Sequence, residues 1–117
     1  MRNPASIAIL FLAISLAPAA QAACEYPADV KIPDGKSATQ DDISATSSAV
    51  KKYLADMEAY MACIDADAAA LPVEQQTPEA KALHVKRYNA AVDAMEATAN
   101  SFTEQLRAFK GSKKDAP

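Results

Sequence analysis

The sequence contains no tryptophan, only two glycines, only two cysteines and a single histidine. With so few glycines it has no glycine-rich loop of the kind that holds a phosphate group, and no Gly-x-Ser-x-Gly motif around a nucleophilic serine. The histidine, His84, has no histidine or cysteine at the spacing of a metal site and no set of nucleophile and orienting acid around it. The sequence therefore predicts no catalytic residue, no metal site, no cofactor and no enzymatic activity.

An excess of positive charge is also missing, because 12 lysines and arginines stand against 15 aspartates and glutamates. Proteins that bind nucleic acid need clustered excess lysine and arginine, so we expect no nucleic-acid partner. Acidic residues gather instead at Asp56, Glu58, Asp65 and Asp67. They lack the glycine-containing loop of an EF-hand calcium site, so a solvated acidic face is the prediction and a metal carrier is a lesser alternative.

The sequence has no hydrophobic run long enough to cross a bilayer, which takes about 20 residues. A shorter apolar run at 7–16 follows Arg2 and precedes Ala20-Gln21-Ala22, the pattern of a signal peptide cleaved after Ala22. We therefore predict a signal peptide at 1–22, no membrane span, and a one-domain mature protein that is periplasmic or secreted.

The two cysteines are Cys24 and Cys63. An exported protein enters an oxidising compartment, so a disulfide bond between them is the simplest prediction; disulfide bonds between two chains are the alternative. No Cys-x-x-Cys pair is present, which argues against a redox role. Gln21, Ala22 and Ala23 fit ordinary signal cleavage better than a lipoprotein site, so the sequence disfavours a lipid anchor on Cys24.

The first part of the mature chain, residues 23–38, has the composition of an extended arm. Pro27, Pro33 and Gly35 stand there among isolated apolar residues, and Pro33-Asp34-Gly35 is a typical turn. This segment has too few apolar residues for a core of its own. We expect it to be ordered by lying against a helix, with its start held by the disulfide bond.

A first helix is predicted over about 40–71, with apolar residues at every seventh position. Thr39 and Asp42 have the spacing of a capping box, and Ser37 with Gln40 is the competing cap. The repeated apolar positions are Ile43, Val50, Met57, Ile64 and Leu71.

A second helix is predicted after Pro72, with Thr77 as its N-cap, Pro78 as its first residue and Gly111 as its stop. Its apolar positions alternate by three and four: Val85, Tyr88, Val92, Met95, Ala99, Phe102, Leu106 and Phe109. On this pattern Val85 and Tyr88 lie in the seam between the helices, and His84 points away from the core.

These elements predict an all-α fold, an antiparallel two-helix hairpin over 39–111 with coiled-coil-like packing, a disulfide-tethered arm at 23–38 and a disordered tail at 112–117. Two helices alone do not enclose so long a seam. Tyrosines and methionines along an incompletely covered seam are typical of adaptable protein-binding surfaces. We therefore predict a partner-binding surface that comprises Tyr53, Tyr60, Met61 and Tyr88.

The stretch CEYPADVKIPDG, followed by KYLADMEAYMAC, resembles uncharacterised small secreted proteins of Gram-negative bacteria. In these a Cys-x-x-Pro arm, a Pro-Asp-Gly turn and a Tyr-x-x-Cys helix occur together, ahead of a second helix. The resemblance implies a fold and a compartment, with no functional site to transfer. The functional hypothesis is an exported interaction protein, an adaptor or a weak chaperone in the envelope; the alternative is a self-associating structural coiled coil without a specific ligand.

Overall fold

The structure is a computed structural model that describes residues 24–114. Helix α1 (Gln40–Ala70) and helix α2 (Pro78–Lys114) pack against each other, and a short 3-10 turn at Val73–Gln75 lies in the loop between them. The part of the chain described contains no β-strand. The predicted all-α hairpin is confirmed, whereas the predicted signal peptide at 1–22 lies outside the described residues.

Helix α1 begins with the predicted capping box. The backbone N–H of Asp42 donates to Thr39 Oγ1 at 3.1 Å, and the backbone N–H of Thr39 donates to Asp42 Oδ2 at 2.9 Å. Two backbone donors that the first helical turn leaves without a partner are thereby satisfied. The helix ends at Ala70, shortly before Pro72, which cannot continue it.

Helix α2 begins as the sequence predicts, because the hydroxyl of Thr77 accepts a hydrogen bond from the backbone N–H of Ala80 at 3.1 Å. Its end differs from the prediction. The helix continues through Gly111 to Lys114, so the prediction that Gly111 ends it is wrong, and residues 112–114 are helical. A helical glycine costs only about 1 kcal/mol relative to alanine, which neighbouring helical residues can offset. Residues 115–117 of the predicted tail lie outside the described range.

The core follows the seven-residue repeat of α1, since Ile43, Val50, Met57 and Ile64 are all buried. It divides into two clusters. Near the start of α1, Ile43 packs with Ala38 and Phe109. Further along, Met57 and Tyr53 pack with Ala91 of α2, and both Met57 and Ala91 have no exposed surface. Burial of the apolar side chains in these two clusters is what holds the two antiparallel helices together.

The arm, residues 24–38, extends from the loop end of the hairpin to the end where α1 begins. Its start is bonded to α1 through Cys24 and Cys63. Val30 then packs against the cluster around Met57, and Ala38 is buried beside Ile43. A hydrogen bond from the backbone N–H of Ser37 to the carbonyl of Asp34 closes the predicted turn at 3.2 Å. The predicted ordered arm, tethered by its disulfide bond, is therefore present.

The face of α2 that meets α1 is rotated relative to the predicted seam. Val85 is 54% exposed, whereas the His84 side chain is only 26% exposed and its Nε2 lies 2.9 Å from Asp65 Oδ1 of α1. The sequence predicts that His84 points away from the core; in the structure its half-buried side chain contacts α1 through Asp65. The helix contact is centred on Ala91, which is fully buried. Ala91 follows His84 by seven residues, about two helical turns, so the two residues lie on the same face of α2. Val85 consequently lies on the flank.

Candidate functional site: a cleft at the loop end

Large apolar side chains with substantial exposure gather toward the loop end of the hairpin. Among residues 24–114 they are Tyr26, Val73, Leu83, Val85 and Tyr88. Phe102, Leu106 and Phe109, near the other end, are packed into the core cluster around Ile43. The loop end therefore offers apolar surface that the hairpin does not cover.

A cleft opens at this end between the start of the arm, α1 and α2, and we call it the loop-end cleft. Ile64 is one of its buried residues, and the aromatic side chains of Tyr26 and Tyr60 contribute from the arm and α1. Leu83 lines it from α2 and is 48% exposed. Polar and charged groups also line the cleft: Asp67, His84 and Arg87.

The aromatic wall of the cleft is a pair of rings. The centroids of Tyr26 and Tyr60 are 5.1 Å apart and the rings are inclined by 77°, an edge-to-face arrangement. Burial, with a further contribution from the neighbouring Tyr53, raises the pKa of Tyr26 above its ordinary value. Because Tyr26 is only two residues beyond Cys24, the disulfide bond restricts where this ring can lie.

One polar contact links the helices beside the cleft, between His84 Nε2 of α2 and Asp65 Oδ1 of α1 at 2.9 Å. The ring of Tyr88 lies next to His84, with 6.4 Å between their centroids. Within the described range, Arg87 and Asp67 take part in no ion pair. The cleft thus combines apolar walls with one positive and one negative side chain that remain available to a bound group.

The four residues predicted to form a partner-binding surface do not lie on one surface. Tyr60 is half-buried in the cleft, and Tyr88 is 37% exposed on α2. Met61 is half-buried and packs against the cluster around Met57. Tyr53 is only 3% exposed, and its side chain is part of the core on which the arm packs. Its role in partner binding stays a prediction.

Of the residues that line the cleft, the sequence assigned only Tyr60 to a binding surface; Tyr26, Leu83 and Arg87 are among those it did not assign. Leu83 was missed because it lies outside the alternation of three and four residues that defined the seam. In the sequence Leu83 stands out only as a leucine whose neighbours on the same side of α2 include Glu79, Lys86 and Arg87. Tyr26 was expected to pack on a helix, but only the folded arm places its ring against Tyr60.

The disulfide bond lies at the edge of the same cleft. Cys24 and Cys63 are bonded within one chain with 5.7 Å between their Cα atoms, which confirms the intramolecular pairing. Asp67 Oδ2 lies 3.1 Å from Cys24 Sγ. A disulfide sulfur carries no proton, so this contact is not a hydrogen bond.

No protein-family model, no curated protein and no solved structure matches the chain. The resemblance to small secreted bacterial proteins therefore stays a prediction. Among the residues described, no helix is long and apolar enough to cross a membrane. The functional proposal consequently rests on the residues of the cleft.

Proposed function

We propose that the protein is an exported interaction protein that binds a segment of another protein at the loop-end cleft, as an adaptor or a weak chaperone. The observation that carries this proposal is the grouping of Tyr26, Tyr60 and Leu83 around an open cleft. Export is supported by the signal-like sequence at 1–22 and by the disulfide bond, which oxidising compartments preserve.

The lining of the cleft favours a segment that carries a large apolar side chain beside a carboxylate. The apolar side chain would displace water from Leu83 and the two tyrosines, and removal of apolar surface from water is favourable. The carboxylate would pair with Arg87, whose planar guanidinium binds carboxylates through two parallel hydrogen bonds. Asp67 would repel a second acidic group and so contribute to selectivity.

Self-association through α2 is the second candidate. Val85 and Tyr88 are exposed on the flank of α2, and both interrupt a surface that is otherwise polar. A second copy that covers this flank would bury both side chains. This candidate predicts a dimer whose formation does not involve Leu83.

Site-specific photo-crosslinking in the native envelope tests the proposal. A photo-reactive residue replaces Leu83 in the cleft, and a matched control replaces Glu104, an exposed residue near the other end of α2. We expect one heterologous protein to be captured from position 83 and not from position 104. An added Arg87→Glu change should weaken the binding of this protein by about tenfold or more, because charged anchors are frequent hot spots.

Other outcomes separate the alternatives. Capture of many unrelated proteins at position 83 favours a chaperone over an adaptor. Capture of the protein's own chain favours the self-association candidate. Equal capture at positions 83 and 104, unaffected by Arg87→Glu, contradicts a specific role for the loop-end cleft.

A further inference from the structure

We infer that reduction of the Cys24–Cys63 disulfide turns its surroundings into a site for a thiophilic divalent cation such as Zn²⁺, with both cysteines and Asp67 as ligands. The two sulfur atoms and a carboxylate oxygen of Asp67 all lie within 4.8 Å of one another. Thiolate and carboxylate are established zinc ligands. This inference does not depend on the proposed function.

Two of the three ligands are arranged by α1 itself. Cys63 and Asp67 are four residues apart on this helix, so their side chains lie one turn apart on the same face. Helix geometry therefore holds this pair together whether the cysteine is oxidised or reduced. Asp67 also takes part in no ion pair within residues 24–114, so its carboxylate is available to a cation.

The third ligand, Cys24, is held in place by contacts that do not require the disulfide bond. Two residues later the ring of Tyr26 packs edge-to-face on Tyr60 of α1. Val30 is packed against the core, and the backbone N–H of Gly35 donates to Gln105 Oε1 at 2.8 Å. We therefore expect the arm to remain on the hairpin after reduction and to keep Cys24 beside Cys63.

The contact between Asp67 and Cys24 supports the same assignment. Asp67 Oδ2 is 3.1 Å from Cys24 Sγ, although the oxidised sulfur has no proton to donate. In the disulfide the carboxylate thus gains no hydrogen bond from this contact. In the reduced protein a cation between the oxygen and the sulfur would make the same proximity strongly favourable.

The chemistry has two balanced steps. A dithiol reductant transfers two electrons and two protons to the disulfide bond, which becomes two cysteine thiols while the reductant becomes a disulfide. Zn²⁺ then displaces the two thiol protons and forms two Zn–S bonds and one Zn–O bond. Tetrahedral zinc has a fourth position, which water from the adjoining loop-end cleft would fill, since Cys24 and Asp67 also line that cleft.

Metal binding and the disulfide bond exclude each other in this arrangement, because the same sulfur atoms serve both. The oxidised protein should therefore bind no thiophilic cation at this position. Calcium and magnesium should not compete, since these hard cations prefer oxygen ligands to thiolates.

The test is a Co²⁺ titration of the reduced, full mature chain without oxygen, after the reductant has been removed. We expect one Co²⁺ per chain with a thiolate-to-cobalt charge-transfer band, and complete displacement by Zn²⁺. The oxidised protein and the Cys24→Ser variant should lack this band. Asp67→Asn should weaken binding by about tenfold or more, since even outer partners of metal ligands contribute roughly 10–100-fold.

Glu58→Gln is the matched control, because it removes one negative charge from the same helix outside the ligand group. Its affinity for Co²⁺ should equal that of the unchanged chain. Circular dichroism follows the fold of the reduced protein throughout, and helix lost on reduction but regained with Zn²⁺ would also support the site. A reduced chain that binds Co²⁺ no better than Cys24→Ser overturns the inference, as do equal affinities of Asp67→Asn and Glu58→Gln.

Discussion

Gly35 of the arm lies directly against the backbone of α2 at Gln105. A Cβ atom on Gly35 would overlap the carbonyl oxygen of Gln105 and would lie 2.9 Å from the backbone nitrogen of Phe109. The backbone N–H of Gly35 also donates to the Gln105 side chain at 2.8 Å. No glycine among the described residues has a positive φ, so this position needs glycine for close approach and not for its backbone freedom.

Replacement of Gly35 by alanine should force the arm away from α2. We expect Gly35→Ala to lower the free energy of unfolding by about 1–3 kcal/mol, the usual cost of a side chain inserted into a closely packed contact. Urea denaturation followed by circular dichroism measures this change. The control is Gly111→Ala, where a Cβ would have no neighbour within 4 Å and the helix should gain about 0.5–1 kcal/mol. Similar stabilities for both variants would contradict the contact.

Loss of the disulfide bond should destabilise the fold without abolishing it. Cys24 and Cys63 are 39 residues apart, and closing a loop of this length contributes about 4 kcal/mol in the chain-entropy description. The Cys24→Ser and Cys63→Ser double variant should therefore unfold at a lower urea concentration than the oxidised protein. The bond is checked by treating the unreduced protein with an alkylating reagent. Its intact mass should not increase, because a disulfide has no thiol to alkylate. Dimers that disappear on reduction would contradict the intramolecular pairing.

The capping box should make the stability of α1 depend on pH in the acid range. Hydrogen bonds from the backbone and side chain of Thr39 lower the pKa of Asp42 below its ordinary value of 3.8. Because the folded state favours the carboxylate, the stabilisation is complete above pH 3.8 and is lost as the pH falls through the lower, folded-state pKa.

The variant that tests this is Asp42→Asn, which cannot ionise. Thermal unfolding between neutral and acidic pH should show a smaller loss of melting temperature for Asp42→Asn than for the unchanged protein. Asp41→Asn is the control, since Asp41 lies in the same first turn but is not part of the capping box. Indistinguishable pH profiles for Asp42→Asn and the unchanged protein would show that the box does not form.

Tyr26 should show the opposite dependence at alkaline pH. Burial raises its pKa above the ordinary 10.0, so the folded state favours the neutral phenol. Its contribution to stability is present below pH 10.0 and is lost as the pH rises through the higher, folded-state pKa. Ultraviolet absorbance is measured against pH for the unchanged protein and for Tyr26→Phe. The difference between the two curves gives the titration of the Tyr26 phenol. Its midpoint should return to the ordinary value in denaturant, and a difference curve that denaturant does not move would contradict the partial burial of Tyr26 beside Tyr53 and Tyr60.

The local structure could be predicted well because it depends on residues close together in the sequence. Thr39 and Asp42 are three residues apart, so their reciprocal hydrogen bonds follow from the first turn of a helix. The same holds for Thr77 at the start of α2. Gly111 is an exception, since a single glycine allows a helix to continue as well as to end.

The candidate site could be predicted only in part, because it depends on which sides of the elements meet. Tyr60 was anticipated and lines the cleft, whereas Tyr53 was anticipated and is covered, and Leu83 was missed. The apolar residues of α2 form a stripe broader than one neighbouring helix covers. A pattern of this kind indicates which residues avoid water but not which of them will face α1.

By itself, the sequence determined the two helices, their N-caps and the turn in the arm, because backbone hydrogen bonding and seven-residue periodicity leave few alternatives for local elements. With only two cysteines, it left a choice between pairing within one chain and pairing between two chains. Only the tertiary structure decided that α2 meets α1 through Ala91, that Val85 is left exposed, and that Asp67 lies beside the disulfide bond. These features arise from close packing between segments distant in sequence, which fixes the rotation of each helix and the path of the arm.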